Sequence, residues 1–448
     1  MKKLLIFLLA ALLLTGCGNA GSNTIEIDGI AYDTAATAIT LPQGTSIEHY
    51  EAVKAALPAC DISWEVPFQG GYVAQNTETL TVSSLTEEDA ALLAYFPGLK
   101  TLDATGCADL SQVAKLTKTY PDLDVRYTVE ICGESYPSDT KELHFENPEV
   151  SQLENLRYLP QLQSVTLTEP QGDPAALMAL AENLPITWEK TAFGKVYRND
   201  LVELDLSEEG LTFEDAAAME AELVWFPELE LVYFGDVAVD NDTMADYRTR
   251  VAEQYKVVWN VRLNFRINIR SDATYFMPRK FYMTVIDRDL ENLKYFNDMV
   301  TVDLGHMNIF HCEWAANMPK LQYLILADTP MKNIEPLRNC KELIYFEVFD
   351  TPVKDFTPLL ECKKLRDLNM CWTDGDPEVI AQLTWLERLW WWGRLTEPFL
   401  NEEEKAMITA AMPDCEVVFK TTTSTGGGWR EGELYYKMRD NLGMEYMK

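Results

Sequence analysis

The sequence predicts an α/β fold built as a solenoid, with one short parallel strand per turn and longer, irregular repeats in the N-terminal half. Three observations carry this. From about residue 299 the chain repeats every 21 or 22 residues. Each repeat holds an apolar-x-x-apolar-x-apolar core. Between such cores lie helix-start patterns, a Thr or Asn with an acid three residues later. A fixed period with alternating apolar positions means stacked turns, none of which buries its core alone.

In the regular region the cores are Met299/Val302/Leu304, Leu321/Leu324/Leu326, Leu343/Phe346/Val348, Leu365/Leu368/Met370 and Leu386/Leu389/Trp391. After two of them comes a matched second half, Thr329-Pro-Met-Lys-Asn-Ile-Glu-Pro-Leu337 and Thr351-Pro-Val-Lys-Asp-Phe-Thr-Pro-Leu359.

These residues resemble leucine-rich repeats of the 22-residue bacterial type found in internalin-like proteins. The resemblance implies a right-handed solenoid with a parallel concave sheet, and a second half that returns as a short 3₁₀ turn on the convex side. The chain departs from the family at one position: the Asn after the strand is replaced by Thr329, Thr351 and Thr373.

The first half has a period near 63 residues. Pro58 to Val66, with Trp64, recurs as Pro121 to Val129, with Tyr127. Weaker echoes fall at Pro185–Trp188, Val257–Trp259 and Pro413–Phe419. A Gly-containing turn and a further strand follow each of the first two, at Thr77/Leu80/Val82 and Thr140/Leu143/Phe145. Strands at Leu99/Leu102 and Leu162/Val165 complete each unit. Each long unit thus reads as three strand turns, one with an irregular loop in place of a helix. Thr86–Asp89, Thr212–Asp215 and Asn401–Glu404 read as helix starts, whose acids satisfy free N–H groups and the positive dipole end.

Lys2 and Lys3 precede an apolar run to Leu14, followed by Leu14-Thr15-Gly16-Cys17. This describes a secretory signal rather than a spanning helix. The four residues resemble the lipobox of bacterial lipoproteins, which implies a lipidated Cys17 and an extracytoplasmic protein anchored to the cell membrane. The expected organisation is a signal peptide over 1–16, a tether over 17–29, degenerate repeats over 30–298, regular repeats over 299–412 and a C-terminal cap over 413–448.

The charge is strongly acidic: 38 Lys and Arg against 71 Asp and Glu, a net −33. Loss of Lys2 and Lys3 with the signal makes it 36 − 71 = −35. Such a surface repels phosphate backbones, which excludes a nucleic-acid partner.

Period-two alternation turns the residues beside the inner Leu positions onto the concave face. There the sequence places Asp303, Tyr323, Tyr345, Glu347, Phe349, Asp367, Asn369, Arg388, Trp390 and Trp392. Large aromatics beside carboxylates and an Arg suit a recognition patch. The competing reading buries Trp390 to Trp392 under the C-terminal segment, whose Gly426–Arg430 and Leu434–Arg439 stretches read as a turn and a short helix.

No HExxH, GxSxG or CxxC motif occurs. His306, His311 and Cys312 lack a second cluster, and Asp236, Asp240, Asp242 and Asp246 lack the glycine and final Glu of a calcium loop. No catalytic residue, metal or cofactor is expected. Beyond Cys17 there are eight cysteines; Cys340 and Cys362 share one register, and reduced, buried thiols are the favoured state. The sequence therefore points to a non-enzymatic interaction protein with a protein ligand. A carbohydrate-binding surface component is the alternative, with the membrane touched only through the lipid.

Overall fold

The computed structural model describes residues 23–208, 216–281, 283–393, 399–426 and 428–444. The signal-like segment, Cys17 and the Thr212–Asp215 helix start lie outside the described residues. Among those described, no helix is long and apolar enough to cross a membrane. The chain divides into two compact units at Arg198/Asn199.

The first unit is made of short parallel ladders, each closed by an antiparallel hairpin. The ladders pair 38–40 with 61–63, then 79–81 with 101–103 and 124–126, then 142–146 with 164–168 and 186–189. Leu80, Leu102 and Val125 point inward, as do Leu143, Val165 and Ile186, and all are buried. The hairpins pair Thr24–Ile27 with Ile30–Asp33, Glu65–Phe68 with Gly71–Ala74, Thr128–Ile131 with Glu134–Pro137, and 189–192 with 195–198.

Here the structure differs from the irregular loop expected within each long unit. Every connection is a two-residue turn, Asp28-Gly29, Gln69-Gly70, Cys132-Gly133 or Phe193-Gly194, with φ positive at both residues. That is the type I′ geometry whose twist matches the strands it joins. The aromatic before each of the last three hairpins is an anchor. Trp64 stacks on Tyr50 at 4.1 Å, the Tyr127 hydroxyl donates to the Tyr158 carbonyl at 2.6 Å, and Trp188 is buried. The tether expected over 17–29 is corrected from Thr24 onward. Thr24-Ile-Glu-Ile alternates and pairs across the Asp28-Gly29 turn, so these residues form a strand rather than a linker.

The second unit begins with one more such group. Strands Glu203–Asp205, Leu231–Tyr233 and Lys256–Val258 form a parallel sheet. The buried Trp259 then leads into the hairpin Asn260–Arg262/Asn268–Arg270. From Tyr275 the chain runs as one seven-stranded parallel sheet: 275–276, 301–303, 323–325, 345–347, 367–369, 388–390 and 416–418, in chain order. The regular ladder thus starts one turn before Met299.

Leu324, Phe346, Leu368 and Leu389 align across adjacent strands and are fully buried. The return segments include 3₁₀ turns at Glu313–Asn317, Glu335–Asn339 and Thr357–Glu361, packed turn on turn. Thr329, Thr351 and Thr373 occupy the substituted Asn position. Each is buried and donates its hydroxyl to the carbonyl three residues back, at 2.7, 2.8 and 2.7 Å. The preceding residues Asp328, Asp350 and Trp372 sit at positive φ, so one turn geometry repeats after each strand.

The expected helix starts at Thr86 and Asn401 both form reciprocal capping boxes, opening helices Glu87–Leu92 and Glu402–Ala411. All eight cysteines from Cys60 to Cys415 are free thiols. Cys340 and Cys362 each donate to a carbonyl of the preceding turn, and burial pushes them up to about 12 and about 11.

Candidate functional site

The sheet face turned away from the 3₁₀ turns carries the outward positions of the ladder. Strand pairing aligns them in rows: Thr301, Tyr323, Tyr345, Asp367 and Arg388 in one, Asp303, Ile325, Glu347, Asn369 and Trp390 in the next. Ala327, Phe349, Cys371 and Trp392 continue beyond the strand ends. The ten residues singled out in the sequence therefore share one face.

Of the two readings, burial under the C-terminal segment is the one seen for Trp390 and Trp392, and it extends to Tyr323, Tyr345 and Phe349, for which an open recognition face was expected. Tyr323, Tyr345, Glu347, Phe349, Asp367, Asn369, Trp390 and Trp392 are all buried, and Asp303 and Arg388 are half-buried. Their cover is the chain's own C-terminal segment, which leaves the seventh strand, turns at Thr422–Gly426 and ends in the helix Glu433–Asn441. Trp429, Leu434, Met438 and Leu442 pack against this face and complete one apolar cluster with it. The reason is physical: five large aromatics and their apolar neighbours on one sheet face lose more by facing water than the tail loses by being ordered. Trp391 has a different place. It points into the solenoid, with its indole donating to the Thr373 carbonyl at 3.2 Å and its ring edge-on to Phe399.

Polar contacts fix the tail in register. The Trp429 indole N–H donates to Glu347 Oε1 at 2.8 Å, and the Tyr345 hydroxyl donates to the same oxygen. Tyr345 and Trp390 flank the Trp429 ring at 5.5 Å each. Arg388 lies over that ring at 4.7 Å and donates to the carbonyls of Gly428 at 3.0 Å and Trp429 at 3.2 Å. Arg388 is itself held by Asp367 at 3.0 Å and Glu416 at 3.3 Å. Asn369 donates to the Ser424 carbonyl at 2.7 Å, and Asn441 donates to the Thr301 hydroxyl at 3.1 Å. Gly432 lies close against Arg388: a Cβ there would stand 2.0 Å from Nη1, so the guanidinium would have to shift.

The electrostatics are those of a buried acidic face. Burial pushes the Asp303 carboxyl up to about 6; the Gly305 amide lowers it, Glu347 raises it further, and Arg279 and Arg430 oppose that. Burial also raises Asp367, against the pull of Arg388. Tyr345 is held well above its ordinary value by burial and by Glu347. Glu347 Oε2 is buried with no hydrogen-bond partner, and its nearest cation is Arg430 at 3.9 Å.

Other sequence candidates resolve into local structure. Asp240 caps the helix Asn241–Arg250, and Asp236 accepts from Asn260 and Asn268. His306 pairs with Asp328 at 2.6 Å. Among the described residues no group of three or more His, Cys, Asp or Glu is placed to hold a metal. A cleft of about 740 Å³ lies beside the 260–270 hairpin, lined by Tyr233, Asn260, Asn268, Arg270 and Tyr275 among others. Its polar groups bond to one another, as Tyr233 does to Asn260 and Arg270 to Asp272. Sequence reasoning missed Thr301, Gly432 and Asn441 as tail contacts. The spacing of Leu434, Met438 and Leu442 was the available signal, an apolar stripe along one helix face.

No family model matches the chain, and no curated relative matches it. Among solved structures it is similar to an internalin C2 from Listeria monocytogenes, at 16% identity over 53% of this chain and 83% of that one, TM-score 0.22. A second Listeria monocytogenes internalin matches at 14% identity over 84% and 96%, TM-score 0.27. A leucine-rich-repeat protein of Leptospira interrogans matches at 13% over 75% and 93%, TM-score 0.25. At such scores the likeness carries no argument, and the repeat architecture rests on the strand register of this chain.

Proposed function

We propose that this chain is an extracytoplasmic, non-enzymatic leucine-rich-repeat protein, lipid-anchored at Cys17, that binds a protein partner through the face of its seven-stranded sheet. Right-handed coiling of the solenoid is part of the proposal, since parallel crossovers have that hand almost without exception. One observation carries the choice of a protein ligand. The face accommodates a polypeptide, gripping main-chain carbonyls through Arg388 and Asn369 and an indole through Glu347. The carbohydrate alternative relied on an open aromatic stripe, and that stripe is covered.

The test uses the full chain in the cells that produce it. A photo-crosslinking residue at Arg366, at the rim of the face beside Glu433, should give one discrete protein adduct. The same residue at Glu88, in the first unit, should not. A Cys17→Ser variant should leave the membrane fraction. Equal adducts from both sites would contradict the proposal, and so would none from Arg366.

A further inference from the structure

Tails that close a solenoid lie against the edge of its last turn, where the stacked core would otherwise meet water. This tail lies elsewhere. It starts from the seventh strand, but its contacts run back across the sheet: Trp390 in the sixth strand, Asn369 in the fifth, Tyr345 and Glu347 in the fourth, and Thr301 in the second. It crosses the strands as a turn, Trp429–Glu431, followed by the helix Glu433–Asn441. The chemistry of the contacts is also that of recognition. Arg388 and Asn369 take backbone carbonyls, which any polypeptide offers. One indole is enclosed by Tyr345, Trp390 and Arg388, with its N–H read by Glu347.

Charge supports the same reading. The chain as a whole carries 38 Lys and Arg against 71 Asp and Glu, yet Ser424–Met444 is balanced, with Arg430, Lys437 and Arg439 against Glu431, Glu433 and Asp440. The face opposite offers Asp303, Glu347 and Asp367, with Arg430 the cation nearest the buried Glu347 Oε2. A permanent cover would be more stable over apolar residues at these positions, since buried carboxylates are expensive to desolvate. Retained charges discriminate between occupants instead.

We infer that the sheet face is a receptor for a peptide segment that presents an indole followed by a guanidinium, and that Ser424–Met444 is a resident competitor which such a partner displaces. This rests on the protein-binding reading above and adds to it the partner's chemistry and its regulation. A tethered competitor acts at an effective concentration of order mM. A free segment at μM therefore scarcely enters the closed chain, and enters readily once the tether is cut.

The experiment uses the full chain with a protease site inserted between Thr421 and Thr422, cut after folding. The probe is a fluorescein-labelled synthetic peptide of residues 424–444. The cut chain should take up one peptide saturably, with apparent affinity at least ~100-fold above the uncut chain. A peptide with Trp429→Ala should bind at least ~100-fold more weakly, because the indole fills the enclosed site. A full chain with Gly432→Ala, left uncut, should also admit the probe, because its own tail is loosened. No uptake by either the cut chain or the Gly432→Ala chain would overturn the inference and make the tail part of the core. Equal binding of a scrambled peptide would overturn it as well. The two failures are distinguishable: a partner crosslinked at Arg366 without peptide exchange overturns this inference alone, whereas peptide exchange without an adduct overturns the protein-partner proposal and the partner chemistry inferred from it, leaving only a displaceable tail.

Discussion

Four three-strand or two-strand groups end in an aromatic residue and a hairpin, whereas the seven-stranded ladder ends at Val418, is followed by Phe419 and continues into the tail. The two endings are stabilised in opposite ways. The hairpins are local: Cys132-Gly133 joins strands whose partners lie within ten residues, and positive φ at both turn residues does most of the specifying. The tail is non-local. Its anchoring bonds span 55 residues at Asn369–Ser424, 82 at Glu347–Trp429 and 140 at Thr301–Asn441. A local device cannot leave without breaking its own turn. A tail held only by distant side chains can leave while the ladder beneath keeps its hydrogen bonds.

The contrast is open to attack, most strongly at Trp429. Trp429→Ala removes a fully buried indole and should weaken tail docking by about 3–5 kcal/mol. Amides of Glu433–Asn441 should then lose hydrogen-exchange protection while those of the 323–325 and 345–347 strands keep theirs. Simultaneous loss in both would make tail and ladder one cooperative unit. Gly432→Ala acts through Arg388 alone, because Gly432 has an ordinary negative φ. Displacing that guanidinium from two carbonyls should weaken docking by about 1–3 kcal/mol, read in the same exchange profile. On the hairpin side, Gly133 sits at φ +81° with nothing near its missing Cβ. Gly133→Ala should therefore cost only backbone strain, about 1–2 kcal/mol, and expose the amides of 128–137 without touching the tail.

The smallest effect is electrostatic. The Asp303 carboxyl rises from 3.8 to about 6 on folding, through burial and then through Glu347, against the Gly305 amide, Arg279 and Arg430. A raised carboxyl favours the folded form when protonated. Its contribution is complete below pH 3.8 and is lost as pH rises through 6. Tail protection, corrected for intrinsic exchange, should therefore be greater at pH 5 than at pH 7.5. Asp303→Asn should flatten that difference, and an unchanged slope in the variant would remove Asp303 from the account.

How much of this was legible in the sequence follows from the same division. The inward row of Leu324, Phe346, Leu368 and Leu389 could be read directly, because a two-residue alternation inside a 22-residue period is a local signal. So were the capping boxes at Thr86 and Asn401. The outward row was placed correctly by the same alternation, but its exposure stayed divided between an open patch and burial of Trp390 to Trp392 under the C-terminal segment. Whether Tyr345 meets water or Trp429 depends on a contact between distant parts of the chain, which no local pattern encodes. The hairpins fall between these cases. Their glycines were visible, yet with only four residues on each side of Gln69-Gly70 or Cys132-Gly133 the pattern looked like a loop and a strand. The same shortness hid the Thr24–Asp33 hairpin inside a supposed tether.

Crosslinking within a single chain reports whether the sheet face is covered by the chain's own tail. A diazirine amino acid at Leu442, buried in the apolar cluster that also holds Tyr323 and Tyr345 and next to Asn441, which bonds Thr301, should on irradiation join peptides bearing the 301–303, 323–325 or 345–347 strands within the monomer band. Adducts confined to the tail itself, or quenched by water, would show that the face is open and contradict the account.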